Sequence, residues 1–312
     1  MTTLLLSHPA CYKHDTGELH PESAERLAAV MHVLEHEDFI YLARGPAPEA
    51  TREQLLRAHS PAYVDRILGS IPAEGCYIEL DSDTVLSPRS GEAILRSAGA
   101  ACSGVDEVMT GGARNVFCAV RPPGHHAERE AAGGFCLFSN AAIAALHARD
   151  AHGAQRVAVV DFDAHHGNGT QAILWNEPGM FYASTHELDA FPYTGHENER
   201  GGEGGAVVIN APLPAGTGSD PFRAAYAEVI LPALRDFAPE IIVISAGFDA
   251  HAADPMAHLR LQVSDYVWLT RELLGIARAY SQRRIVSILE GGYDPRALAA
   301  CVAAHLKALM EG

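Results

Sequence analysis

The sequence predicts an α/β protein: a central, mostly parallel β-sheet with helices on both faces. Three observations carry that expectation. Short apolar runs rich in β-branched residues recur along the 312-residue chain. Helix-like stretches separate many of them. Chemically capable polar residues follow five of the runs directly.

The apolar runs lie at 116–120, 157–161, 180–184, 206–210, 241–245 and 285–289. Strands that are apolar throughout, separated by helices, mean a parallel sheet covered on both sides. Helix-like stretches lie at 21–36, 89–109, 140–149, 221–237, 264–280 and 295–309. Pro21, Pro221 and Pro295 each suit a first helical turn, where proline's missing N–H costs nothing. No repeat, low-complexity tract or linker interrupts the pattern. Length alone hints at about two domains, but single α/β domains often run past roughly 250 residues. The expectation is one domain over residues 1–312.

Composition is that of an ordinary soluble globular chain, 48% hydrophobic and 20% charged. Such a length buries a large core and needs no disulfide staples. The six cysteines lie far apart without a CxxC pair, and read as buried reduced thiols. The first residues lack the basic region of a signal peptide, and no stretch approaches the roughly 20 apolar residues of a membrane span. The expectation is a cytoplasmic protein with no membrane partner. The net charge of −16 argues against nucleic-acid binding, which needs a basic surface. It suits cationic substrates, although a surplus of solvated carboxylates explains it as well.

The residues after each strand run carry the chemistry. Run 116–120 leads into Arg-Pro-Pro-Gly-His125-His126. Run 157–161 ends on Asp161 and continues Phe-Asp163-Ala-His165-His-Gly167-Asn168. The others lead to Ser184-Thr185-His186, to Gly-Phe-Asp249 and to Glu290-Gly-Gly-Tyr293. In open α/β sheets ligands bind at the carboxyl ends of the strands. Five such ends converge here.

Asp163 and His165 are two apart in a segment leaving a strand, and extended geometry points them to one side. Asp249, leaving another strand, supplies a third ligand. Two carboxylates and one imidazole leave open positions for water and substrate, as catalytic zinc requires. Iron(II) accepts a similar set. Any one of these aspartates alone reads as a helix cap or turn residue; the group, with a His-His pair nearby, reads as a metal site.

His125 and His126 stand on a loop stiffened by Pro122 and Pro123. Adjacent histidines do different work when their partners differ: a carboxylate favours imidazolium and a neutral amide does not. Asp161 and Asn168 are the candidate partners. Tyr293 follows two glycines that let the backbone approach a ligand, and its phenol suits a developing oxyanion. Gly134, Phe135 and Phe191 suit an apolar slot for a methylene chain. Phe135 equally suits the plain core.

Taken in order, Arg-Pro-Pro-Gly-His-His, Gly-Gly-Phe-Cys, Asp-Phe-Asp-Ala-His-His-Gly-Asn-Gly-Thr-Gln, Ser-Ala-Gly-Phe-Asp and Glu-Gly-Gly-Tyr resemble the histone deacetylase family. That family includes bacterial deacetylase-like amidohydrolases and acetylpolyamine amidohydrolases. The resemblance runs from about His20 through the last helix. It implies the arginase–deacetylase fold and one Zn2+ per chain on Asp163, His165 and Asp249. It implies His125 and His126 as the tandem catalytic pair, Asp161 orienting His125, and Tyr293 as oxyanion donor. Asn168 stands where class I enzymes carry aspartate, which resembles the class II and bacterial branch and favours a neutral His126 as base. The resemblance also implies a structural K+ near the 161–165 loop, held by Asp161, Asp163 and His165 with Ser184 and Thr185.

The function so implied is hydrolysis of a linear acyl amide to free amine and acid. Acyl-lysine peptides or proteins, acetylated polyamines and other small acyl-amines all fit, and a homo-oligomer with a lid loop from a neighbour is compatible. Two rival readings exist. A binuclear manganese ureohydrolase wants carboxylates where this chain has Gly167 and His251. A non-catalytic acyl-lysine or acyl-amine binding protein predicts loss of a ligand, a histidine or the tyrosine, and none is lost.

Overall fold

The computed structural model describes residues 2–312. Its centre is one eight-stranded sheet in the order β2-β1-β5-β10-β9-β6-β7-β8. These strands are β1 (Thr3–Ser7), β2 (Ala43–Pro46), β5 (Asn115–Cys118), β6 (Val157–Asp161), β7 (Met180–Glu187), β8 (Val207–Leu213), β9 (Ile241–Ala246) and β10 (Ile285–Leu289). Every pairing in it is parallel. A two-residue hairpin, β3 (Ile78–Glu79) with β4 (Val85–Leu86), stands apart from it. All residues of β5, β6, β7, β9 and β10 are buried, which is why these segments read as unbroken apolar runs.

The helices are α1 (Ala24–Val33), α2 (Arg52–Leu56), α3 (Pro61–Gly69), α4 (Ser90–Thr110), α5 (Asn140–His152), α6 (Asn168–Leu174), α7 (Ser219–Ala225), α8 (Leu231–Phe237), α9 (Val263–Tyr280) and α10 (Pro295–Glu311). Helices α4 and α5 pack on each other and on the sheet. Helices α1, α10 and α9 form a second packed group. Both layers bury apolar stripes, and α4 shows how closely. A Cβ on its Gly99 would fall 2.1 Å from the Pro48 carbonyl, so only glycine lets that backbone approach.

The five strands whose ends carry the polar motifs are contiguous: β5, β10, β9, β6 and β7 occupy the middle of the sheet. The topology thus brings five distant stretches of sequence to one edge.

Several local features differ from the sequence reading. Strand β1 is a short apolar run at the start of the chain. Strand β2, Ala-Arg-Gly-Pro, is an edge strand alternating between half-buried and exposed, with no apolar signal to find. Helices α2, α3 and α6 are too short for periodicity to show. Pro295 opens α10 as expected, but α1 starts at Ala24, after Ser23, so Pro21 lies ahead of it. The expected helix over 221–237 is broken by a π-helical turn, Tyr226–Ile230, between α7 and α8. Five cysteines are buried free thiols, whereas Cys76 is exposed. Among the described residues no helix is long and apolar enough to cross a membrane.

Pro21 is outside the helix because the next residue is needed inside. Glu22 is fully buried and accepts from Arg121 Nη2 at 2.7 Å and Arg26 Nη1 at 3.0 Å. Burial favours the neutral acid, but Arg121 and then Arg26 outweigh it and hold Glu22 down to about 2. A folded value below the ordinary 4.5 means stability that is fully present above pH 4.5 and lost as the pH falls towards 2. Thermal unfolding followed across that window will therefore show the wild type losing stability steeply, and Glu22→Gln starting lower and changing less. Parallel curves for the two would show that this ion pair does not drive acid unfolding.

Candidate metal centre and active site

Strand β6 ends at Asp161, so Asp163 and His165 leave it on a turn rather than in extended chain. Asp163 Oδ1 accepts the His165 N–H at 2.9 Å and thereby folds the loop. His165 Nδ1 lies 3.1 Å from Asp163 Oδ1 and 2.8 Å from Asp249 Oδ2. One donor atom from each of the three residues falls within 4.8 Å of the others. The remaining oxygens are tied back: Asp163 Oδ2 accepts from Gly291 N–H at 2.9 Å, and Asp249 Oδ1 from Ala164 N–H at 2.7 Å. A Cβ at Gly247 would sit 2.0 Å from Asp163 Oδ2, and one at Gly291 2.5 Å from Asp249 Oδ2. The glycines are there because the carboxylates occupy the space.

Asp163 and Asp249 are 1% and 0% exposed. Burial, and next the charge of Asp163, pushes Asp249 up to about 7. Burial also opposes charge on His165, yet Asp163 and Asp249 carry it well above the usual imidazole range. Two carboxylates pressed together out of water call for positive charge between them. Their chemistry, two hard oxygens and one imidazole nitrogen, fits a divalent transition-metal cation.

The tandem histidines have different partners. His125 Nδ1 lies 3.0 Å from Asp161 Oδ2, and its Nε2 faces Asp163 Oδ2 at 3.8 Å. Burial disfavours its charge, but Asp163 and Asp161 outweigh burial and raise it to about 10. His126 Nδ1 donates to Asn168 Oδ1 at 2.8 Å. Burial, followed by the positive charges of His125 and His165, drives His126 well below the usual range. The rings are 4.0 Å apart, so two imidazoles pushed in opposite directions stand side by side.

Groups with no assigned role in the sequence reading hold this loop. Glu290, at the end of β10, accepts from Gly124 N–H at 2.6 Å and His125 N–H at 3.2 Å, and from the Ser245 hydroxyl at 3.1 Å. Its place beyond an apolar strand was a legible signal. Arg26 gave none, since an arginine in an amphipathic helix normally reads as solvent-facing. It is buried and donates to the Glu290 and Gly292 carbonyls, with its guanidinium 4.9 Å from the centre of the Tyr293 ring. Tyr293 N–H in turn donates to Asp254 Oδ2 at 2.6 Å. The tyrosine is thus fixed from below and from its own backbone. Burial comes first in keeping its phenol protonated; Arg26 opposes it, and Asp163 and Asp249 add to it.

Gly134, Phe135 and Phe191 gather at the same place. A Cβ on Gly134 would come within 2.4 Å of His126 Cδ2 and 2.9 Å of Phe191 Cε1. Phe191 packs edge-on to His126 at 5.0 Å, and Phe135 edge-on to Tyr293 at 5.8 Å and to His20 at 4.7 Å. Phe135 holds φ of 69°, a left-handed conformation that is uncommon outside glycine. Its N–H donates to the Thr84 hydroxyl, which ties it to the β3–β4 hairpin. Ser184 pairs with Asp161 in the sheet register, its hydroxyl 2.9 Å from His186 Nδ1, and Thr185 hydrogen-bonds Tyr226 at 3.3 Å.

Two other features lie away from this edge. Asp106, His147 and His152 also converge. There Arg57 donates to His147 Nδ1 at 2.6 Å, so His147 Nε2 carries its proton and donates to Asp106. That is a hydrogen-bonded brace between α4 and α5, with no free lone pair on His147. A groove of about 810 Å³ between α1 and α10, lined by Ala29, Val33, Ala299 and Ala303, holds none of the motif residues.

Comparison with known proteins shows what the chain is similar to. Residues 20–309 match the model of the histone deacetylase domain. The chain is 37% identical to a histone deacetylase-like amidohydrolase of Pseudomonas aeruginosa, covering 93% of this chain and 76% of that protein. It is 35% identical to the chloroplastic histone deacetylase 14 of Arabidopsis thaliana, over 98% and 76%. It is 34% identical to the human polyamine deacetylase HDAC10, over 95% of this chain and 45% of that one. The crystal structure of the HDA15 HD domain superposes with a TM-score of 0.92 at 33% identity, covering all of this chain and 89% of the other. The sheet, its helices and this match make the fold that of the arginases and deacetylases, and the chain belongs to the histone deacetylase family.

Proposed function

We propose that the chain, as one catalytic domain, is a zinc-dependent deacetylase. It would hydrolyse the linear N-acyl amides of lysine side chains or small amines to free amine and carboxylic acid. One observation carries the reading above the others. A buried two-carboxylate, one-imidazole cluster sits beside a histidine pair with opposite partners, with Phe191 packed on His126 and Phe135 on Tyr293.

Asp163, His165 and Asp249 would hold the single Zn2+. When bound, the cation supplies Lewis acidity, polarising the acyl carbonyl and making a water molecule more acidic. His126, donating from Nδ1 to Asn168, keeps its Nε2 lone pair free and takes the water proton there. His125 stays charged against Asp161 and places positive charge beside the reacting carbonyl. Tyr293 donates its phenol proton's hydrogen bond to the carbonyl oxygen as that oxygen gains charge. The histidine pair then returns a proton to the departing nitrogen, so that the amine leaves neutral. Phe191 and Phe135 flank the methylene chain of the acylated amine and exclude water from it. A structural K+ by the 161–165 loop, with Ser184 and Thr185, belongs to the same reading.

The ureohydrolase alternative fails on space as well as on residue type. A Cβ at Gly167 would lie 2.2 Å from Asp161 Oδ2 and 2.7 Å from the Tyr182 hydroxyl. No carboxylate fits there to hold a second manganese. His251 is engaged with its own loop, accepting the Ala253 N–H at 3.2 Å.

The test is a screen of acetyl-lysine peptides, longer acyl-lysine peptides and acetylated polyamines against the zinc-loaded protein. Release of free acid from at least one class is the expected result; binding without release would make the protein a reader of acylated amines. Tyr293→Phe should lower kcat by about 10²-fold or more while metal content is unchanged. An unchanged kcat would remove Tyr293 from oxyanion stabilisation. Asp249→Ala should emerge from purification with little metal, and full loading would show that the ligand set is wrong.

A further inference from the structure

The two histidines differ because their partners differ, but an amide partner has two ends. Which end of Asn168 faces His126 decides which ring nitrogen carries the proton. Asn168 Oδ1 takes the Nδ1–H of His126 at 2.8 Å, and Asn168 Nδ2 donates to Glu128 Oε1 at 2.9 Å. We infer that Glu128 is a positioning residue: its carboxylate orients the Asn168 amide and so fixes the proton of His126 on Nδ1. The inference deepens the deacetylase reading of this site and rests on it.

A carboxylate only accepts. Facing Glu128, the amide must present its NH2, which leaves its oxygen for His126. The oxygen only accepts, so His126 must donate from Nδ1, and its lone pair falls on Nε2. Turning the amide over would set its oxygen against the Glu128 carboxylate, a mismatch, and would leave the NH2 facing Nδ1, where only the Nε2–H tautomer of His126 could accept it. Near the pair this choice cannot relax through backbone movement. Thr170 N–H donates to the His125 carbonyl at 3.0 Å. A Cβ at Gly169 would lie 2.2 Å from the Ala127 carbonyl, so the start of α6 rests directly on the loop that carries both histidines. Glu128 belongs to that loop, and its N–H donates to Ala131 at 2.8 Å to close the turn. His126, Asn168 and Glu128 are therefore held in one rigid unit.

Glu128 is exposed, so its electric field on His126 is weakened by water and salt. Hydrogen-bond direction is not screened in that way. The inference also gives a reason for an amide at 168. An aspartate there would put a second carboxylate against Glu128.

The test uses the zinc-loaded enzyme, an acetyl-lysine peptide and ¹⁵N-histidine NMR. Glu128→Lys replaces an acceptor by a donor and should turn the amide, moving the His126 proton to Nε2. Its kcat should fall by as much as about 10²-fold, the scale of general-base catalysis, with KM little changed. Glu128→Gln, which still offers an oxygen, should retain the Nδ1–H tautomer and most of kcat at low and high salt alike. Glu128→Gln in an Asn168→Asp background should raise kcat, the opposite of its effect in the wild type. Equal losses in the lysine and glutamine variants, an unmoved tautomer in Glu128→Lys, or the same sign in both backgrounds would overturn the inference. If the tautomer moves as stated but no variant, nor the wild type, releases acetate, the deacetylase reading fails and the role of Glu128 stands.

Discussion

The site depends on negative charge buried at one edge of a parallel sheet. Asp161, Asp163, Asp249 and Glu290 are all at most 1% exposed, and each sits at or just beyond the end of a central strand. Carboxylates out of water repel one another and call for positive partners. Every nearby feature answers that demand. His125 takes charge against Asp161, backbone N–H groups of Gly291, Ala164 and Gly124 point inward, and the Asp163–His165–Asp249 cluster is shaped for a cation. Breaking such an arrangement by removing one partner leaves an unpaired buried charge, a loss of several kcal/mol, typically about 3–5.

The same edge separates the two histidines. They share a loop and lie 4.0 Å apart, yet one faces a carboxylate and the other an amide. The different partners, with burial and the neighbouring charges, push the two imidazoles in opposite directions. Below the site a second layer of charge, Glu22 with Arg121 and Arg26, fixes the loops from inside the protein. Arg26 binds the carbonyls on either side of the Gly291 turn, so the position of Tyr293 is set by a helix far away in sequence.

Much of this was legible in the sequence, for a physical reason. Strands buried on both faces must be apolar, so β6, β7, β9 and β10 announced themselves, and anything polar at their ends stood out. Edge strand β2 is not bound by that rule and gave no signal. The candidate metal ligands and the histidine pair were visible because their types are costly to bury without a use. Arg26, Glu22 and Glu128 were not, because charged residues on helices and loops are ordinarily solvated. Their roles arise from contacts between residues distant in the chain, such as Glu22 with Arg121 and Glu128 with Asn168. Pro21 misled for the same reason: helix propensity placed it in α1, while the burial of Glu22 kept it out.

One cation between Asp163, His165 and Asp249 would make this site a hydrolase. Titration of Zn2+ into chelator-stripped protein, followed by release of acetate from an acetyl-lysine peptide or an acetylated polyamine, tests it most directly. The expected result is no turnover without metal and activity that rises to a plateau at one equivalent per chain. Turnover in the stripped protein, or a plateau only at two equivalents, would contradict it.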